Sequence, residues 1–189
     1  NAARVSFAKE NKEFQVVDDS RLIRYLAKHN HWSPFGHASL QFHVTAPVFV
    51  ARQLVKHQVG LVWNEVSRRY VDSEPEFHFV EEWRGSPDNK KQGSSDEVID
   101  ISTHIQEDYI NMCTYTYRYL LDKGVCPEQA RMVLPQSMMT EWYWSGTLMA
   151  FARVCNLRCK EDAQKETQDI AYSIDSLCRT QFPVSWNAL

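Results

Sequence analysis

Between Ser39 and Thr45 the chain alternates: Leu40, Phe42 and Val44 are apolar, and Gln41, His43 and Thr45 are polar. A period of two predicts a half-buried strand, with His43 on its polar side. Upstream, Ser20–Asn30 carries Leu22, Ile23, Leu26 and Ala27 at helical spacing, with Asp18, Asp19 or Ser20 as the cap. Pro34 separates that helix from the strand, and Pro47 suits the first position of a second helix, where its missing N–H costs nothing. Glu76–Trp83 predicts another strand. A long helix is expected over Glu97–Lys123, with Val98, Ile101, Ile105, Tyr109 and Met112 on one face and Gly124 placed to end it. Pro127 can open a short helix that Pro135 closes. An aromatic strand at Ser137–Trp144 and helices at Gly146–Leu157 and Glu161–Gln181 complete the pattern.

Strands and helices are mixed here without regular β-α alternation, which points to an α+β fold. There is no internal repeat, and no GxGxxG loop supports a Rossmann-type flavin or nicotinamide site. Gly85–Asp96, GSPDNKKQGSSD, reads as a surface loop.

The 189 residues suit one domain with a substantial core. A formal charge of −3 argues against a general nucleic-acid binder. No apolar run is long enough to span a membrane, and no signal peptide is visible. Cys113, Cys126, Cys155, Cys159 and Cys178 are an odd, scattered set, expected to be reduced thiols in a cytoplasmic protein. Neither they nor the seven histidines form a metal-ligand pattern, so no metal is expected.

Against that acidic background, the segment Arg52–Tyr70, RQLVKHQVGLVWNEVSRRY, is locally cationic. Arg52, Lys56, Arg68 and Arg69 supply charge, Gln53, His57, Asn64 and Ser67 supply neutral polar groups, and Glu65 is the lone acid. If the Pro47 helix continues, the i, i+4 rule sets Arg52 beside Lys56 and Gln53 beside His57. Cations so placed repel one another, and a phosphate would relieve the repulsion. A solvated basic face is the plainer alternative. The continuation NEVSRRY, too polar for a core, favours a polar loop that binds an anion.

The segment resembles the signature of the flavin-dependent thymidylate synthases, an Arg-His-Arg triplet followed by S-x-N-E-x-S-x-R-Y. Here the triplet reads Lys56-His57-Gln58, and the loop supplies Asn64, Glu65, Ser67, Arg69 and Tyr70. The loop is one residue longer than the usual pattern, with Leu61 near the place of the first serine. The resemblance continues in AARVSF (Ala2–Phe7), HWSPFGH (His31–His37), FHVTAPVFVARQ (Phe42–Gln53), ARMVLP (Ala130–Pro135) and NLR (Asn156–Arg158).

That resemblance implies a mainly antiparallel sheet flanked by long helices, and a homotetramer with shared active sites. It implies one domain over residues 1–189, lacking the strand that usually precedes AARVSF. The implied reaction is methylation of dUMP to dTMP, with methylenetetrahydrofolate as carbon donor, reduced FAD as hydride donor and NADPH recharging the flavin. For dUMP it implies Gln53, Lys56, Glu65, Val66, Ser67, Arg68, Arg69, Arg131 and Arg158. For FAD it implies Ser33, Lys56, His57, Gln58, Glu65 and Arg153, with Thr147 and Met149 standing where the family tends to place asparagine and arginine. Arg158 is the expected catalytic group, an electrostatic clamp on the uracil that stays protonated at any working pH. By composition alone Arg158 would be a helix-terminal arginine and Arg131 a surface one. No Ser-His-Asp arrangement can be inferred for Ser67, and hydride attack replaces a covalent nucleophile. The alternatives are a nucleotide or RNA binder that keeps the fold without catalysis, and an unrelated α+β enzyme acting on a phosphorylated metabolite.

Overall fold

The aromatic segment forms the centre of the sheet. In the computed structural model, which describes residues 1–88 and 93–189, it becomes strand β5 (Met139–Thr147). Strand β1 (Ser39–Pro47) pairs antiparallel with one edge of β5, and β2 (Leu61–Glu65) with the other. The register runs from Ser39 opposite Thr147 to Pro47 opposite Met139, and from Leu61 opposite Gly146 to Glu65 opposite Trp142. Period-two alternation explains the seating: Thr140, Trp142 and Trp144 are buried, whereas Glu141 and Tyr143 are exposed. Trp63 stacks on Trp142 at 4.2 Å between ring centroids and meets Trp144 edge-on, while Phe151 packs against both Trp144 and Phe42. Aromatic contacts of this kind add about 0.5–1.5 kcal/mol each beyond area burial.

Helices cover that aromatic centre. Helix α1 (Val16–Lys28) starts earlier than the predicted Ser20. Asp19 is buried inside its first turns, accepts the Gln15 backbone N–H at 2.6 Å and pairs with Arg4 at 2.5 Å, so it caps from within. Pro47 is the last strand residue and the cap of helix α2 (Val48–Leu54), one position ahead of its expected place. Helix α5 (Leu148–Arg158) begins after Gly146 and Thr147, which belong to β5; the Thr147 hydroxyl accepts the Ala150 N–H. Helices α6 (Lys165–Gln181) and α7 (Pro183–Ala188) follow, the latter unforeseen.

The region between β2 and β5 departs most from expectation. Glu76–Trp83 is not a strand: Phe77 makes one isolated bridge to Met138, and only Trp83–Arg84 (β3) pairs, with Val98–Ile99 (β4). The long helix α3 spans His104–Asp122, so Val98 and Ile101 precede it. Its buried face is Ile110, Cys113 and Tyr117, while Ile105, Tyr109 and Met112 of the predicted stripe are exposed. This helix carries two apolar stripes, and periodicity does not say which one meets the core. Gly124 does end the helix, at φ +83°, and Pro127 opens helix α4 (Pro127–Ala130). The predicted loop at Gly85–Asp96 lies partly outside the described residues.

Candidate functional site

Helix α2 stops at Leu54, because the His57 N–H turns back to the Leu54 carbonyl and the chain leaves the helix. Lys56 and His57 therefore sit in a turn, and the expected i, i+4 pairing with Arg52 and Gln53 does not form on a helix. The two neutral residues reach other elements instead. The Gln53 amide donates to Gln164, and its carbonyl oxygen accepts the Thr167 hydroxyl at 3.3 Å. His57 Nε2 accepts a hydrogen bond from Arg158 Nε at 3.0 Å, across 101 residues of sequence. Burial first, and the Arg158 cation second, push the His57 imidazole below its usual value. A neutral ring with Nε2 as acceptor carries its proton on Nδ1. Arg158, half-buried in the last turn of α5, has no protein partner for its two terminal nitrogens among the described residues.

The second group lies beyond β2, and part of the segment expected as a polar loop is that strand. Trp63 anchors it between Trp142 and Trp144, and its five residues carry the chain about 13 Å from Leu61 to Glu65. The Glu65 carboxylate accepts the Thr140 hydroxyl at 2.8 Å and the Trp63 indole N–H at 3.0 Å. The Val66 N–H continues the ladder to the Glu141 carbonyl. Arg68 is occupied structurally, donating to the carbonyls of Ser73 and Glu74. Arg69 folds back on Ser67, whose hydroxyl accepts its Nε–H at 3.2 Å, and lies over the Tyr70 ring. Arg131, exposed, donates only to the Glu128 carbonyl at 3.3 Å and lines a cavity of about 320 Å³ with Glu65, Val66, Arg68 and Thr140. No residue of the His57–Arg158 group stands in that cavity's wall.

The remaining predicted positions are scattered within the chain. Ser33 is exposed at the start of a single 3-10 turn, Ser33–Gly36. Lys56 and Gln58 are exposed, and neither side chain makes a hydrogen bond among the described residues. Arg153 is exposed on α5 and lines a cavity of about 150 Å³ with His31, Trp32 and Met149. Gln164, Thr167 and Thr140, which hold Gln53 and Glu65, were not anticipated; no spacing in the sequence links residues 111 or 75 positions apart.

Arg4, Arg84, Arg118 and Arg179 each pair with an acid, yet Arg52, Lys56, Arg68, Arg69, Arg131, Arg153 and Arg158 have no ion pair among the described residues. Cations left without acids suit anionic ligands. No cluster of three or more His, Cys, Asp or Glu side chains among the described residues could hold a metal.

Comparison with known proteins shows the family. The family described as thymidylate synthase complementing protein matches residues 1–184. The flavin-dependent thymidylate synthase of Thermus thermophilus is 38% identical over 188 residues, covering 99% of this chain and 68% of that protein. The flavin-dependent thymidylate synthase of Kosmotoga olearia is 36% identical over 191 residues, covering 99% and 82%. Among solved structures, the UMP/dUMP methylase PolB from Streptomyces cacaoi, bound with 5-Br dUMP, superposes with a TM-score of 0.85 at 28% identity, over 99% of this chain and 86% of that one. The chain therefore belongs to the flavin-dependent thymidylate synthase family.

Proposed function

We propose that this protein methylates dUMP to dTMP, with FAD as cofactor, methylenetetrahydrofolate as carbon source and NADPH as reductant. The observation that carries the reading is Arg158: its Nε is anchored by His57, and its terminal nitrogens have no protein partner among the described residues. A guanidinium so held stabilises negative charge that develops on the pyrimidine's N3–O4 edge, without moving a proton itself. A preorganised donor of this kind is worth about 100- to 1,000-fold in rate. Arg131, Arg69 and Ser67 take the phosphate dianion, with Lys56, Gln53 and the backbone around Val66 and Arg68 completing the nucleotide's polar contacts. Glu65, held by Thr140 and Trp63, is positioned to accept from the sugar or from the flavin.

The donor set also fits FAD. Lys56, His57 and Gln58 follow one another in a turn, two of them unpaired among the described residues, and offer one cation and two neutral polar groups to an anionic diphosphate. Ser33 and Arg153 provide further polar contacts to the same cofactor. When bound, the reduced flavin supplies the hydride that completes the methyl group. The chain's own part is to orient the uracil, exclude water and hold charge.

One domain over residues 1–189 carries these groups, and a homotetramer would join the open cavity beside Arg131 to a neighbour's Arg158. The separation of the two groups within one chain supports that arrangement. No helix among the described residues is long and apolar enough to cross a membrane.

The test is an absorption spectrum of the purified protein with added FAD, then NADPH oxidation with and without dUMP, then folate-dependent dTMP formation. Flavin binding and NADPH oxidation that responds to dUMP are expected. A folded protein that binds no flavin would overturn the reading.

A further inference from the structure

We infer that His57 is a positioning residue for Arg158, and that the hydrogen bond between them makes flavin binding and nucleotide binding interdependent. The inference rests on the proposed function, which sets Arg158 against the uracil and His57 against the flavin.

The geometry is specific. An arginine presents five N–H donors; here the Nε–H is given to His57 and the four on the terminal nitrogens are unclaimed among the described residues. The Nε–H lies in the guanidinium plane, so this bond restricts where the paired terminal N–H groups can point. That edge matches two adjacent acceptors on a planar ring. Of Lys56, His57 and Gln58, only His57 has its side chain bonded within the protein among the described residues. Neither His57 nor Arg158 has an ion-pair partner among the described residues, so the hydrogen bond between them is the polar contact that holds the guanidinium there.

The imidazole also joins two directions. It accepts from Arg158 at Nε2 and, being neutral, donates at Nδ1. A flavin acceptor at Nδ1 makes Nε2 a better acceptor, which tightens the hold on Arg158. Binding at either side then favours the other by the same factor, since coupling free energies are reciprocal.

The test is dUMP affinity of the full chain, read from tryptophan fluorescence with and without saturating FAD, for wild type, H57A, H57Q and R158A. Wild type should bind dUMP about tenfold more tightly with FAD present, a coupling within the usual range. H57A should weaken dUMP about tenfold in the absence of FAD, and adding R158A to it should produce little further loss. H57Q, whose amide oxygen replaces Nε2 as acceptor, should restore FAD-free dUMP affinity to within a few-fold of wild type. H57A that binds dUMP as wild type does, or H57Q as weak as H57A, overturns the inference while leaving the proposed function standing. A wild-type chain that binds no dUMP under either condition overturns the proposed function and this inference together.

Discussion

The two ends of the candidate site differ in what holds their polar groups. At the end of α2, Gln53 and His57 are bonded to α6 and α5, which rest on the core through buried Val154, Cys155 and Thr167. Beyond β2, Arg69 and Arg131 bond only to sequence neighbours and are exposed. The first end is preorganised, its donors aimed before any ligand arrives. The second is a set of adjustable charges that a ligand must order, at some loss of affinity. In the proposed reading one residue type serves two purposes, Arg158 as a fork held by His57 and Arg131 as an exposed counter-charge.

Removing the aimed fork should have the largest effect. Arg158→Ala is expected to lower dTMP formation by at least about 100-fold while the protein still binds FAD. Near-normal turnover would erase the contrast. At the open end, Arg131→Ala should weaken dUMP about tenfold, the loss of one charge-assisted hydrogen bond, with FAD affinity unchanged. Equal loss of both ligands would indicate misfolding instead. Ionic strength sharpens the comparison further. Exposed charges are screened, so dUMP affinity should fall a few-fold between roughly 0.05 and 0.5 M salt, with a shallower slope in Arg131→Ala.

The smallest effect concerns pH. His57 is held below its usual value of 6.5 in the folded chain. Between the folded and unfolded values, the unfolded chain holds more protons, so stability falls as pH drops through that window. Thermal melts from about pH 7.5 to about pH 5 should show that decline, and His57→Gln should flatten it. An unchanged slope would mean that His57 is not the group responsible.

Legibility in the sequence follows the same division. The β1 alternation and the aromatic strand β5 were readable because their periodicity matches their burial. In α3 the same reasoning chose the wrong face: Met112 is 67% exposed, whereas Tyr117 is 1% exposed. Both stripes are apolar, and the choice depends on what packs beside them. Strand β2 was hidden because Asn64 and Glu65 read as loop residues; Trp63, seated between two tryptophans far along the chain, holds the strand in place. Among site residues, the sequence marked the cations but could not show that Arg68 would be spent on the Ser73 and Glu74 carbonyls.

By itself, the sequence determined the α+β class, strands β1 and β5, the helix stop at Gly124, and the family, because these depend on local periodicity, backbone chemistry and ordered motifs. Only the tertiary structure decided which arginines are aimed and which are free. His57 meets Arg158 across 101 residues, and a contact of that span depends on how the sheet places α2 beside α5. No spacing along the chain encodes it.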